Sequence, residues 1–226
     1  MLSISNDEVR ALIPMEDAIE CMKKAFSDFY SGDFIVPNRM STEINGGDST
    51  VLVMPAYRNG GKYFTIKIVT VSQSSDKNNS GLISACVNIF DSSNGDMIAT
   101  LGGDTITSLR TGAATGLATM LLAKKDSKVG AIFGTGVQAK TQVEAMAKVR
   151  QMEKVYVYGR ELESMEKFSR HISENYGIEA ISGDLEDLNK VDIICTATPS
   201  TDALFENHHL KPGVHINAIG SFKPNM

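Results

Sequence analysis

Gly134, Gly136 and Ala139 stand at G-x-G-x-x-A spacing within the stretch 128–139, KVGAIFGTGVQA. This is the chemistry of a pyrophosphate site. Gly134 allows a sharp strand-to-helix turn, Gly136 puts no side chain in the way of the phosphates, and Ala139 lets the helix lie close to its strand. The helix N-terminus adds N–H groups without intrahelical partners and a partial positive charge. Thr135, Val137 and Gln138 belong to the same turn and count with it as cofactor-binding residues. Three small residues at this spacing also recur by chance in ordinary turns, so the flanking elements decide.

Those flanks fit. The apolar run 129–133 precedes the turn, and 137–150 carries Val137, Val143, Ala147 and Val149 at near-helical spacing, with Lys148 and Arg150 at the end that suits cations. The segment 154–158, KVYVY, reads as a second strand. Strand, turn, helix and strand fit within about thirty residues, as a βαβ unit requires. The second strand ends on Tyr158-Gly159-Arg160-Glu161, where an acidic residue selects NAD and an arginine favours NADP. Arg160 either caps an ordinary turn or contacts a 2′-phosphate; the second reading makes NADP the preferred cofactor over NAD.

These residues need elements to position them. After the second strand come a helix over 161–176 and strands near 178–182, over 191–198 and over 214–219. This is the pattern of a doubly wound parallel sheet, whose ligand crevice lies at the carboxyl ends of its strands. Thr196, Ala197, Thr198, Gly220 and Ser221 fall at such ends, and with Gly159 and Arg160 they complete the expected cofactor contacts. The front of the chain is of a different style. Ser5 and Glu8 have capping-box spacing, a helix is expected from Pro14 to about Ser31, and its stripe of Ala18, Met22, Ala25, Phe26 and Phe29 reads as core. Strand-like segments follow at 50–57, 62–72, 82–91 and 96–101, with Asn94-Gly95 as a hairpin turn in an antiparallel, α+β arrangement. A helix over 104–123 bridges the two parts; its many Gly, Ala and Thr residues permit close helix-on-sheet contact, despite the helix propensity lost at Gly112 and Gly116. The expected fold class is therefore α/β: a Rossmann-type domain over 125–226 plus an α+β domain over 1–124.

Composition supports a soluble enzyme. The chain has 226 residues, 42% hydrophobic and 22% charged, enough for an ordinary core. A net charge of −5 gives no general attraction to nucleic acid or to acidic membranes. No apolar run approaches a membrane span, and the N-terminus lacks a signal layout, so a cytoplasmic protein is expected. Cys21, Cys86 and Cys195 match neither a disulfide framework nor a zinc site, the four histidines form no ligand pattern, and no metal is expected.

The segments SLRTGAATGLA at 108–118, IFGTGVQA at 132–139, TIKIV around Lys67 and HINAIGSFKP at 215–224 together resemble the ornithine cyclodeaminase/mu-crystallin family over essentially the whole chain. The resemblance implies a homodimer whose front domain makes the dimer contact and holds substrate, a second domain that binds NAD(P), and substrate between them. Members include ornithine cyclodeaminases, alanine dehydrogenases, ketimine or pyrroline-carboxylate reductases, opine-type dehydrogenases and crystallin-like NADPH binders. Arg39, Lys67 and Arg110 match the substrate-binding positions. A guanidinium suits the carboxylate of an amino or imino acid, the role assigned to Arg39 and Arg110. Read alone, Lys67 is a solvent-facing strand lysine; the resemblance makes it the catalytic residue, polarising a carbonyl or imine or moving a proton. Arg110 and Thr111 are also implied to meet the cofactor phosphates.

Two departures shape the expectation. Cyclodeaminases carry an aspartate after the glycine pair that follows the last strand, whereas here Gly220-Ser221 leads to Phe222, which cannot shuttle protons. This favours plain hydride transfer on the C–N bond of a small amino acid or cyclic imino acid. Conversion of ornithine to proline and ammonia, a lyase reaction with internally recycled NAD, is the alternative. A non-catalytic NADPH binder or inactive fragment is a further one. The chain also stops at Met226 inside a family motif, so a C-terminally truncated member is expected.

Overall fold

The computed structural model describes residues 1–72 and 83–220. The chain falls into two compact units, Met1–Pro14 with Lys23–Thr107, and Met15–Met22 with Ser108–Met226.

The first unit holds strand β1 (Leu2–Ile4), helix α1 (Asn6–Leu12) and strands β2 (Phe34–Ile35), β3 (Met40–Ile44), β4 (Ser49–Arg58), β5 (Tyr63–Ser72), β6 (Ile83–Asp91) and β7 (Met97–Gly102). They form a seven-stranded sheet of order β1-β7-β6-β5-β4-β2, with β3 also on β4. The expected antiparallel style holds from β2 to β7, but β1 pairs parallel with β7, Leu2 opposite Ala99. Ser5 and Glu8 do form a capping box at α1, Ser5 N–H donating to Glu8 Oε2 at 2.8 Å and Glu8 N–H to Ser5 Oγ at 3.3 Å. The β6–β7 hairpin turns where expected, with Gly95 at φ +79°.

Helix α2 (Met15–Tyr30) and helix α3 (Gly103–Leu122) each contribute residues to both units. The apolar stripe of α2 is only partly core. Ala18 is buried, but Phe26 and Phe29 are 53% and 55% exposed, because no described element covers the outer end of the stripe.

In the second unit, five parallel strands run in the order β10-β9-β8-β11-β12. They are β8 (Val129–Phe133), β9 (Lys154–Tyr158), β10 (Glu179–Ser182), β11 (Ile193–Thr196) and β12 (His215–Ala218), joined in part by helices α4 (Val137–Val149) and α5 (Leu162–Tyr176). The order reverses beside β8, so the topological switch point lies between β8 and β11. Alternation sends Ile132, Val155, Val157 and Ile193 into one buried layer with Val143, Met146 and Ile172 of the helices. Ala131, Phe133, Tyr156 and Ile194 go to the other.

Gly112 and Gly116 stand where α3 meets two other helices. A Cβ on Gly112 would stand 2.6 Å from the Thr141 carbonyl oxygen of α4, and one on Gly116 2.7 Å from Ile19 Cδ1 of α2 and 3.3 Å from Ala145 Cβ. The C-terminus of α3 is closed by Arg150, whose guanidinium donates to the carbonyls of Thr119 (2.8 Å), Met120 (3.2 Å), Ala123 (2.8 Å) and Lys124 (2.9 Å). Carbonyls of the last turn of α3 and of the two residues after it thus share one cation, as suits a helix C-terminus. Beside them, Asn217 Nδ2 donates to Thr119 Oγ1 at 3.1 Å, and Asn217 Oδ1 meets His215 Nε2 at 3.1 Å.

Candidate functional site

At the carboxyl ends of β8, β9 and β11 a cleft of about 680 Å³ opens in the second unit. Of the expected cofactor contacts, Gly134, Thr135, Gly136, Gly159, Arg160, Ala197 and Thr198 all line it. Residues 134–136, 159–160 and 197–198 come from three separate strand ends, brought together by the parallel sheet. Pro199, Ser200, Thr201, Asp202 and Leu204 complete one wall. Of that wall, only Pro199, next to Ala197-Thr198 at a strand end, was legible in the sequence.

The two glycines act differently. Gly134 has φ +103°, and a Cβ there would stand 2.5 Å from the Ala197 carbonyl oxygen. Its N–H donates to Tyr158 O at 2.8 Å, locking the turn to β9. Gly136 is the N-cap of α4 with φ −84°, and a Cβ on it would meet nothing within 4 Å. The protein's own packing therefore leaves that space open, as a phosphate seat requires. Among the described residues no side chain caps α4, so the first-turn amides of Val137, Gln138 and Ala139 have no side-chain cap there. Gln138 Oε1 is buried with no hydrogen-bond partner among the described residues, an acceptor left over in the same turn. Ala139 is fully buried in the core. These features fit a dinucleotide pyrophosphate.

Arg160 is exposed and is the one basic side chain among the described lining residues; Asp202 is the one acidic side chain among them. Tyr158 stacks on Phe133, with centroids 4.3 Å apart and planes 9° apart, and donates its hydroxyl to Asp184 O at 2.9 Å. Burial pushes the Tyr158 phenol well above its ordinary pKa of 10.0, so it is a neutral wall and not a base. Cys195 is fully buried, its thiol pushed up to about 12 by burial, and it plays no nucleophilic part.

The remaining expected residues lie elsewhere. Thr196 ends β11 and accepts from Gly220 N–H at 2.8 Å, which sets Gly220 against the Thr198 backbone. Val137 is 69% exposed at the start of α4. Arg110 and Thr111 are on α3 and do not line the cleft. Desolvation draws the Arg110 guanidinium down from its ordinary pKa range. Ser221, with Phe222, lies outside the described residues.

In the first unit, Lys67 is half-buried on β5, opposite Met54 of β4 and Val87 of β6. Ile66 and Ile68 face the other side, as the alternation requires. Lys67 Nζ donates to Thr107 Oγ1 at 2.6 Å. Arg39, exposed, immediately precedes Met40, whose partner Val53 is the neighbour of Met54. Among the described residues there is no cluster of His, Cys, Asp and Glu able to hold a metal, and no helix long and apolar enough to cross a membrane.

Comparison with known proteins agrees with this geometry. The Delta(1)-pyrroline-2-carboxylate reductase of Bacillus cereus is 37% identical over 228 residues, covering 100% of this chain and 70% of that protein. The structure of the Thermococcus litoralis Delta(1)-pyrroline-2-carboxylate reductase in complex with NADH and L-proline superposes with a TM-score of 0.87 at 34% identity, covering 96% of this chain and 68% of that one. An archaeal alanine dehydrogenase dimer with bound NAD gives a TM-score of 0.89 at 30% identity, covering 97% and 67%. Residues 2–226 match the sequence pattern shared by ornithine cyclodeaminases and mu-crystallins, and this chain belongs to the ornithine cyclodeaminase/mu-crystallin family.

Proposed function

We propose that this chain is an NAD(P)-dependent oxidoreductase acting on the C–N bond of a small amino acid or cyclic imino acid, of the pyrroline-carboxylate or ketimine reductase or alanine dehydrogenase type. The observation that carries it is the open seat at Gly136 beneath the uncapped N-terminus of α4, in a family whose compared members above are reductases and dehydrogenases. The nicotinamide cofactor supplies or accepts the hydride at the carbon of the C–N bond. Gly134–Gln138, Gly159, Arg160, Thr196–Thr198, Gly220 and Ser221 hold that cofactor, with Arg110 and Thr111 on its phosphates. Arg39 and Arg110 bind the substrate carboxylate through paired charge-assisted hydrogen bonds. Lys67 polarises the C–N bond and handles the proton at nitrogen, so that reduction of an imine adds one hydride to carbon and one proton to nitrogen.

Finer points belong to the same reading. Residues 1–124 serve substrate binding and dimerisation, and 125–226 the cofactor. Arg160 favours NADP through its 2′-phosphate. A homodimer is supported by the apolar residues that the first unit leaves exposed, Ile35, Val36, Met40 and Ile44. Cytoplasmic residence fits its use of a nicotinamide cofactor.

The test is spectrophotometric. Purified protein should oxidise NADPH or NADH steadily with Δ1-pyrroline-2-carboxylate, or with a 2-oxo acid and ammonia. Ammonia release from ornithine with no net change at 340 nm would instead mark the lyase, and quenching of NADPH fluorescence without turnover a binding protein.

A further inference from the structure

We propose that Thr107 is a positioning residue for the reaction, holding the Lys67 ammonium in place; this rests on the reading of Lys67 as the proton-handling group. A lysine side chain has many rotamers, and a group that moves a proton has to be held within hydrogen-bond reach of its target. Thr107 supplies the restraint through two bonds in series. Lys67 Nζ donates to Thr107 Oγ1 at 2.6 Å, and Thr107 Oγ1 donates to the Gly103 carbonyl, also at 2.6 Å. The proton order is fixed by chemistry. An ammonium only donates and a carbonyl only accepts, so the hydroxyl receives from Lys67 and gives to Gly103.

The far end of this chain of bonds is rigid. Gly103 begins α3, and a Cβ on it would stand 2.5 Å from the Ala85 carbonyl carbon of β6, so backbone packs directly on backbone there. The first turn of α3 is held by Asn6, whose Oδ1 accepts from Thr105 N–H at 3.0 Å. Ala85 in turn pairs with Val69, two residues along β5 from Lys67. The lysine is thus tied through Thr107 to the sheet on which it grows. A threonine bonded to the carbonyl four residues back is common in helices for local reasons alone. The second bond, received from a lysine 40 residues away, goes beyond that local role.

The experiment compares Thr107→Val, Thr107→Ala and Thr107→Ser with Lys67→Met, using the full chain and the imine substrate that turns over fastest. Thr107→Val and Thr107→Ala should lower kcat about 10- to 100-fold with an unchanged KM for the nicotinamide cofactor. Thr107→Ser should restore kcat to within about threefold, and Thr107→Val should add little in the Lys67→Met background. Wild-type kcat in Thr107→Ala, a Thr107→Ser variant as slow as the alanine, or fully additive losses with Lys67→Met would overturn the proposal. If Thr107→Val does not fold, the alanine and serine variants decide it. Full activity in Lys67→Met would instead remove the reading of Lys67 on which it rests.

Discussion

The α-carbon of Gly134 lies so near the carbonyl of Ala197 that any side chain at Gly134 would collide with it, the missing Cβ falling 2.5 Å from that oxygen. Gly136, two residues on, has empty space where its Cβ would be. Alanine at the two positions should therefore fail differently. Gly134→Ala carries both the collision and a φ of +103°, and should lower stability by about 1–3 kcal/mol in chemical denaturation. Gly136→Ala should melt within a degree or two of wild type yet bind NADPH at least about tenfold more weakly in a fluorescence titration, since its methyl occupies the phosphate seat. Equal NADPH affinity in Gly136→Ala would remove the pyrophosphate from that seat.

Arg160 offers a discriminating test of cofactor choice. Arg160→Ala should weaken NADPH about 10- to 100-fold, the worth of a lost charge-assisted hydrogen bond, and leave NADH nearly unchanged. Parallel titrations with the two cofactors measure it. Equal losses for both would place the arginine on phosphates they share.

The cap made by Arg150 is a stability element. Arg150→Met leaves the carbonyls of Thr119, Met120, Ala123 and Lys124 without this donor and should cost about 2–4 kcal/mol in urea unfolding. Arg150→Lys should recover only part of it, because an ammonium is a compact donor and not a planar fork. A full recovery would show that the charge matters and the hydrogen-bond geometry does not.

His215 makes stability fall on the acid side. Burial, and after it the nearby charge of Arg150, lower its pKa below 6.5, against the opposing contact with Asn217. Above that value the imidazole is neutral in both folded and unfolded chains, and its contribution is fully present. As pH falls below 6.5 the unfolded chain takes up the proton first, so stability is lost until the folded pKa is passed. Urea midpoints measured from pH 8 to pH 5 should drop less in His215→Gln than in wild type. Parallel curves would show that His215 does not carry this dependence.

The parts of the molecule legible in the sequence were those whose signal is local. The turn at Gly134–Ala139 states its backbone needs in six residues, and the β5 alternation around Lys67 reports its two faces directly. The short strands β1, β2 and β3 were not legible, because two to five residues carry little pattern and their pairing partners are remote. Thr107 and Arg150 looked like an ordinary helical threonine and a helix-end cation. Their roles come from partners 40 residues away for Thr107 and 26–31 away for Arg150, which no spacing rule reveals. The Gly, Ala and Thr content of α3 announces close contact but not that Gly112 and Gly116 meet helices, since a small residue records the distance of approach and not what approaches.

The pairing of β1 with β7 bears on how this sheet assembles. Leu2 finds its place only against Ala99, 97 residues on. Bringing such distant segments together costs on the order of 4 kcal/mol of chain-closure entropy before any contact repays it. The β4–β7 meander, joined by local connections, needs no such closure, so the first strand of the chain is the natural last addition to the sheet. Asn6 follows β1 after one residue, Ser5, so the start of α3, and the footing of Thr107 with it, becomes firm only when that strand docks.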